Sequence, residues 1–134
     1  MLKLNELKVG DLVYAEYDGQ LKEGEITDID HLDEKACIMT SEDQEFWYEL
    51  NHIKPIALDE SQLFKLGFQK QENTDGSVKY MKGAFRLLLH HPNDFFNVEM
   101  WYREDQRHVS GPLYVHDLQN KFHSMTKVLL TKGE

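Results

Sequence analysis

Seven histidines, one cysteine and a run of amides are the side chains of this chain that could do chemistry. His116 and His123 lie seven residues apart, two helical turns on one face, with Asn120 between them. A zinc pair on a helix sits at i and i+4 so that both nitrogens converge on one ion, so this spacing does not make a metal site. His90 and His91 are adjacent and project to opposite faces of a strand. No metal and no cofactor are expected. Cys37 lies among apolar residues in an acidic half of the chain, whereas a reactive thiol needs an electropositive, accessible setting and a base. It reads as a packed side chain. The cluster Tyr114, His116, Gln119, Asn120 combines an imidazole with amide donors and acceptors. It could bind a small polar ligand or a peptide, or tie its helix to the backbone of a loop at 104–110, the commoner use of such amides. No Gly-rich phosphate loop, nucleophile elbow or Cys-x-x-Cys is present, and no catalytic residue is assigned.

The elements that would hold these residues follow from periodicity. Val115, Leu118, Phe122, Met125 and Leu129 recur at three- and four-residue steps and predict an amphipathic helix over Pro112 to Thr126. Gly111 is the expected N-cap and Pro112 the first helical residue. His116, Asn120, His123 and Lys127 fall on the polar face. Upstream, the segments at 12–17, 21–29, 35–40 and 46–50 and a short piece near Ile53 read as strands, with a hairpin at Asp18-Gly19 and a polar turn over 41–45. Val13, Ala15 and Tyr17 are expected to share one face. Short strands at this spacing with no intervening helix predict a small closed barrel. A helix over Leu58 to Phe68, capped by Asp59 and ended by Gly67, marks the junction between the halves.

The second half reads as further strands. Phe85, Leu87 and Leu89 share a face, and Phe96, Val98, Met100 and Tyr102 alternate with Asn97, Glu99, Trp101 and Arg103. Glu104 to Ser110 reads as a polar loop, with room for a short strand at Arg107 to Val109. Phe95, Trp101 and Leu88 are expected on the face away from the helix, covered by the barrel or by a second subunit of a homodimer. The fold class is therefore α+β and mostly β: an SH3-like barrel over 1–57, then over 58–134 an antiparallel sheet with a short helix before it and a long C-terminal helix over it.

Charge narrows the function. Residues 1–58 carry 5 Lys and 14 Asp/Glu, and residues 59–134 carry 10 charges of each sign, so the net charge of −9 lies in the first half. Nucleic-acid binding needs surplus Lys and Arg, so the first half disfavours it, while a cationic partner suits it. No apolar run approaches the roughly 20 residues of a membrane helix, and no hydrophobic signal region opens the chain. A single cysteine fits a reducing cytoplasm.

Two resemblances add to this. Lys8-Val9-Gly10-Asp11, Ala15-Glu16-Tyr17, Gly24 to Asp30, Ala36-Cys37-Ile38 and Leu50 to Ile56 resemble an SH3-like barrel of the Tudor kind over residues 7–57. The resemblance implies an aromatic cage for a methylated Lys or Arg. Tyr17 keeps an aromatic at a cage position; Glu23, Thr40 and Asp43 stand at the others, and Trp47 and Tyr48, in a different strand, are the substitutes. The segment from Leu58 to Lys70 and the ending Tyr114-Val115-His116-Asp117-Leu118-Gln119-Asn120 with Phe122 resemble uncharacterised small proteins of gut bacteria and their phages. Lys127 stands where those proteins place a helix-ending glycine, so the helix is expected either to run longer or to end differently. The expectation is a non-enzymatic interaction or accessory protein, associated with a phage or mobile element, that meets a protein partner through Tyr17, Trp47 and Tyr48. An acidic nucleic-acid mimic that blocks a DNA-binding protein is the alternative. A small hydrolase or lyase using His116 is a weaker one.

Overall fold

A computed structural model describes residues 2–40 and 44–132. The described residues form two antiparallel five-stranded sheets, one short α-helix, one longer C-terminal α-helix and two 3-10 turns. It divides into two compact units. The first holds the residues up to Ile56 together with Tyr114–His116, and the second holds Ala57–Leu113 and the chain from Asp117 onward.

In the first unit β1 (Leu12–Tyr17), β2 (Gln20–Asp30), β3 (Lys35–Thr40), β4 (Glu45–Glu49) and β5 (Ile53–Lys54) run in the order β4-β3-β2-β1-β5. Asp18 and Gly19, at φ 54° and 75°, form the tight hairpin between β1 and β2. Asp30 accepts the backbone N–H groups of Leu32 and Asp33 and so turns the chain between β2 and β3. A bulge between Ile26 and Asp28 sharpens the bend of the long β2. Val13, Ala15, Ile26, Ala36, Ile38 and Ile53 form the core with Leu2, Leu4 and Leu7 from the N-terminal segment. Cys37 is buried, as its apolar surroundings predict.

The closed barrel is not formed. Among the described residues no ladder joins β4 to β5, and the sheet is open between them. The cause is local: after Glu49 the chain makes a 3-10 turn at Leu50–His52, and β5 is two residues long and pairs only with Tyr14 and Ala15 of β1. Tyr17 lies in the same unbroken strand as Val13 and Ala15 at the alternation expected of one face, but at the strand end it passes beyond the core and is 77% exposed.

In the second unit β6 (Gln69–Glu72), β7 (Val78–Lys82), β8 (Phe85–Leu89), β9 (Asn97–Tyr102) and β10 (Asp105–Ser110) form a meander in sequence order. The stretch expected as a loop at 104–110 is the edge strand β10, paired with β9 along its whole length; its polar residues alternate at a sheet edge rather than filling a loop. Helix α1 (Glu60–Lys65) is shorter than the periodicity suggests. Asp59 caps it by accepting the Gln62 N–H at 2.8 Å, and Gly67 at φ 90° follows its end. Phe122 packs against Phe85 with ring centroids 4.9 Å apart and against Phe68 at 6.4 Å, which brings the C-terminal helix onto the sheet.

That helix, α2 (Val115–Thr126), starts later than Gly111-Pro112 implied. Gly111 adopts φ 100°, and Leu113 and Val115 instead make backbone hydrogen bonds to Leu58 and Ile56, which hold the lead-in extended. The helix ends at Thr126 because Lys127 takes the left-handed conformation at φ 65°. A lysine therefore performs the turn that a glycine makes at lower cost. Leu129 falls outside the apolar stripe and is 63% exposed, and Leu130 is buried in its stead. Phe96 likewise leaves its alternation, because β9 begins only at Asn97. Phe95 approaches Tyr80, whose side chain belongs to the covered face, so it does not join Trp101 on the outer one.

Candidate functional site

The aromatic residues singled out from the sequence line one groove of about 940 Å³ in the first unit: Tyr17 from the end of β1, and Trp47 and Tyr48 from β4. Phe46 joins them. Tyr48 packs partly against the core, whereas Phe46 is 55% and Trp47 50% exposed. Large rings left this open are surface that water hydrates poorly and that a partner can cover.

Phe46, Trp47, Tyr48 and Glu49 of β4 line it together with Gln20 and Lys22 of β2 and Thr40 of β3, so the groove draws on four strands of the first sheet and meets β4 at four successive positions. Ala15, Glu16, Tyr17 and Asp18 also line it; β5 accompanies β1 only as far as Ala15.

Three carboxylates, Glu16, Asp18 and Glu49, stand among these rings. The cationic side chains of the lining are Lys22 and, when protonated, His52. His52 Nδ1 lies 3.6 Å from Glu16 Oε1. Gln20, Thr40 and Gln44 add neutral polar groups. Ring faces and carboxylates both attract a cation, the first through the quadrupole and the second through charge. The arrangement can therefore hold a Lys or Arg side chain. Of the other residues at the cage positions of the resemblance, Thr40 lines the groove, Glu23 is half-buried outside the lining, and Asp43 lies outside the described residues.

The polar helix cluster is arranged differently from its expected open face. His116 is 1% exposed, and its ring stacks on Tyr114 with centroids 6.0 Å apart and planes 4° from parallel. Gln119 is also buried and donates from Nε2 to the Leu130 carbonyl at 2.9 Å, which ties it to the backbone of the tail after the helix. Asn120 is half-buried. Among the described residues no three His, Cys, Asp or Glu side chains converge as metal ligands, and no helix is long and apolar enough to cross a membrane.

Sequence reasoning missed Phe46, Glu16, Asp18, Glu49 and His52 as groove residues. The triplet Phe46-Trp47-Tyr48 carried a signal: three consecutive aromatics cannot all face one core, so at least one must look outward. The carboxylates carried none, because acidic residues are spread through the first half.

The chain matches no protein-family model, and comparison with curated proteins finds no significant match.

Proposed function

We propose that the chain is a non-enzymatic protein-interaction module whose first unit holds a cationic segment of a partner protein in the groove at Tyr17, Trp47 and Tyr48. The observation that carries this reading is the mixing of exposed rings with Glu16, Asp18 and Glu49 in one groove of a half that bears the whole net charge. The likeness of the terminal helix to small proteins of gut bacteria and their phages adds an accessory role in a phage or mobile element. A single buried cysteine suits a reducing cytoplasm. The reading in which His116 serves a hydrolase or lyase has little support, since a side chain 1% exposed and outside the groove lining is poorly placed to meet a substrate. A nucleic-acid mimic would draw on the same acidity. The presence of Lys22 and His52 among the groove carboxylates favours a short cationic segment over a phosphate-like array.

Affinity capture with the wild-type chain and with Tyr17→Ala and Trp47→Ala tests the proposal. Both side chains are at least half exposed, so neither change should unfold the first unit. Partners held by the wild type are expected to be lost from both variants. Partners retained unchanged by both would remove the groove from the function.

A further inference from the structure

The strand that lines the groove with its aromatic residues is also an edge strand. β4 ends the first sheet, so among the described residues only β3 pairs with it. In an antiparallel pair, alternate backbone N–H and C=O groups point away from the partner strand, and those of β4 point to the side where the sheet is open. The groove is lined by four successive residues of this strand, Phe46 to Glu49.

Natural sheets block such edges with lysines, proline or a covering loop. The β4 sequence Glu45-Phe46-Trp47-Tyr48-Glu49 has none of the lysines or proline, and three of its five residues are aromatic. Its only charges are two carboxylates. A second copy of this chain pairing edge to edge would set carboxylates against carboxylates, which disfavours self-association. An extended strand bearing positive charge has the complementary chemistry.

Resting on the cationic-groove reading, we propose that the partner segment binds as an added antiparallel or parallel strand on β4. Its backbone pairs with the outer groups of that edge, and alternate Arg or Lys side chains reach toward Glu16, Asp18 and Glu49. Affinity then comes from main-chain hydrogen bonds, and selection from the side chains of one face of the added strand.

The test uses the full chain with Trp101→Phe, which leaves Trp47 as the only tryptophan and as a reporter in the groove. The probes are a short peptide alternating Arg with Thr and two backbone N-methylated versions of it, one methylated at every Arg and one at every Thr. A strand paired along one edge uses the N–H groups of only one alternate set. Binding by the plain peptide, weakened about tenfold or more by one methylation pattern and little by the other, is expected. Equal binding by all three peptides, or equal loss with both patterns, would overturn strand addition while leaving the cationic groove standing. No binding by the plain peptide would overturn both. A free chain that is dimeric, with Trp47 emission changing on dilution, would give the edge to a second copy and also overturn the proposal.

Discussion

The Gln119 side chain of α2 donates a hydrogen bond to the carbonyl of Leu130, 11 residues further along, at 2.9 Å in a buried setting. Between them the chain reverses through Lys127, so the amide fastens the tail back against the helix it has just left. Removing a buried donor strands its acceptor without water. Gln119→Leu should therefore lower stability by about 1–3 kcal/mol, seen as a lower urea midpoint with an unchanged m-value. An unchanged midpoint would show that the Leu130 carbonyl finds another donor.

Lys127 makes the same turn from the backbone side. Its N–H reaches the His123 carbonyl at 2.8 Å and its φ of 65° is left-handed. An L side chain pays a steric cost there that glycine does not, so Lys127→Gly should raise stability by about 1 kcal/mol. The loss of the exposed contact from Lys127 Nζ to the Ser124 carbonyl should offset little of this. Thermal unfolding checks the sign.

The second unit should weaken at both ends of the pH scale. Tyr80 donates its hydroxyl to Glu60 Oε1 at 2.8 Å, and Lys70 Nζ lies 2.7 Å from the same oxygen. Burial first, and then the bond to Glu60, push the Tyr80 phenol above its ordinary value of 10.0, and the bond to Glu60 raises Lys70. The folded chain keeps these protons where the unfolded chain releases them, so stability is complete below about pH 10 and falls as pH rises through the folded values. Hydrogen bonds from Lys70 and then Tyr80 hold Glu60 below 4.5, and the Ser77 hydroxyl holds Asp75 below 3.8. Their contribution is complete above those values and is lost as pH falls through the lowered ones. Denaturant titrations across pH should show both slopes, and Tyr80→Phe should flatten the alkaline one while keeping part of the acid one.

Gly24 of β2 faces the partner strand so closely that an added Cβ would stand 2.5 Å from Ile38 Cγ2 and 2.7 Å from the Met39 carbonyl oxygen. Ile38 is fully buried and the carbonyl is backbone, so neither can yield cheaply. Gly24→Ala should cost about 1–3 kcal/mol and should broaden amide signals along β2 and β3.

Much of the architecture is legible because it is local. Asp18-Gly19, Asp59 with Gly67, and the alternation of Phe85, Leu87 and Leu89 each encode their own turn, cap or buried face, and the structure realises them. What was not legible depends on partners distant in sequence. Nothing in Leu50–Ile56 announces that β5 stops after two residues, so an open sheet read as a closed barrel. Pro112 fits a helix start, but backbone pairing near Ile56 and Leu58 holds that segment extended. His116 sat on the polar side of a helical wheel, and tertiary burial overrode the wheel. The groove was half legible: its rings were visible as exposed-prone aromatics, while its carboxylates became distinct only when β1 and β4 were placed beside one opening.

If the groove of the first unit receives a cationic segment, a cationic peptide must perturb its residues and an anionic one must not. Amide chemical-shift mapping of the full chain, titrated with the plain Arg-Thr peptide and in parallel with a Glu-Thr peptide, tests it most directly. Saturable shifts from the Arg peptide are expected, centred on Tyr17, Phe46 to Glu49 and His52 and weakened by added salt, with none from the Glu peptide. Shifts centred on the second unit, or equal responses to both peptides, would contradict it.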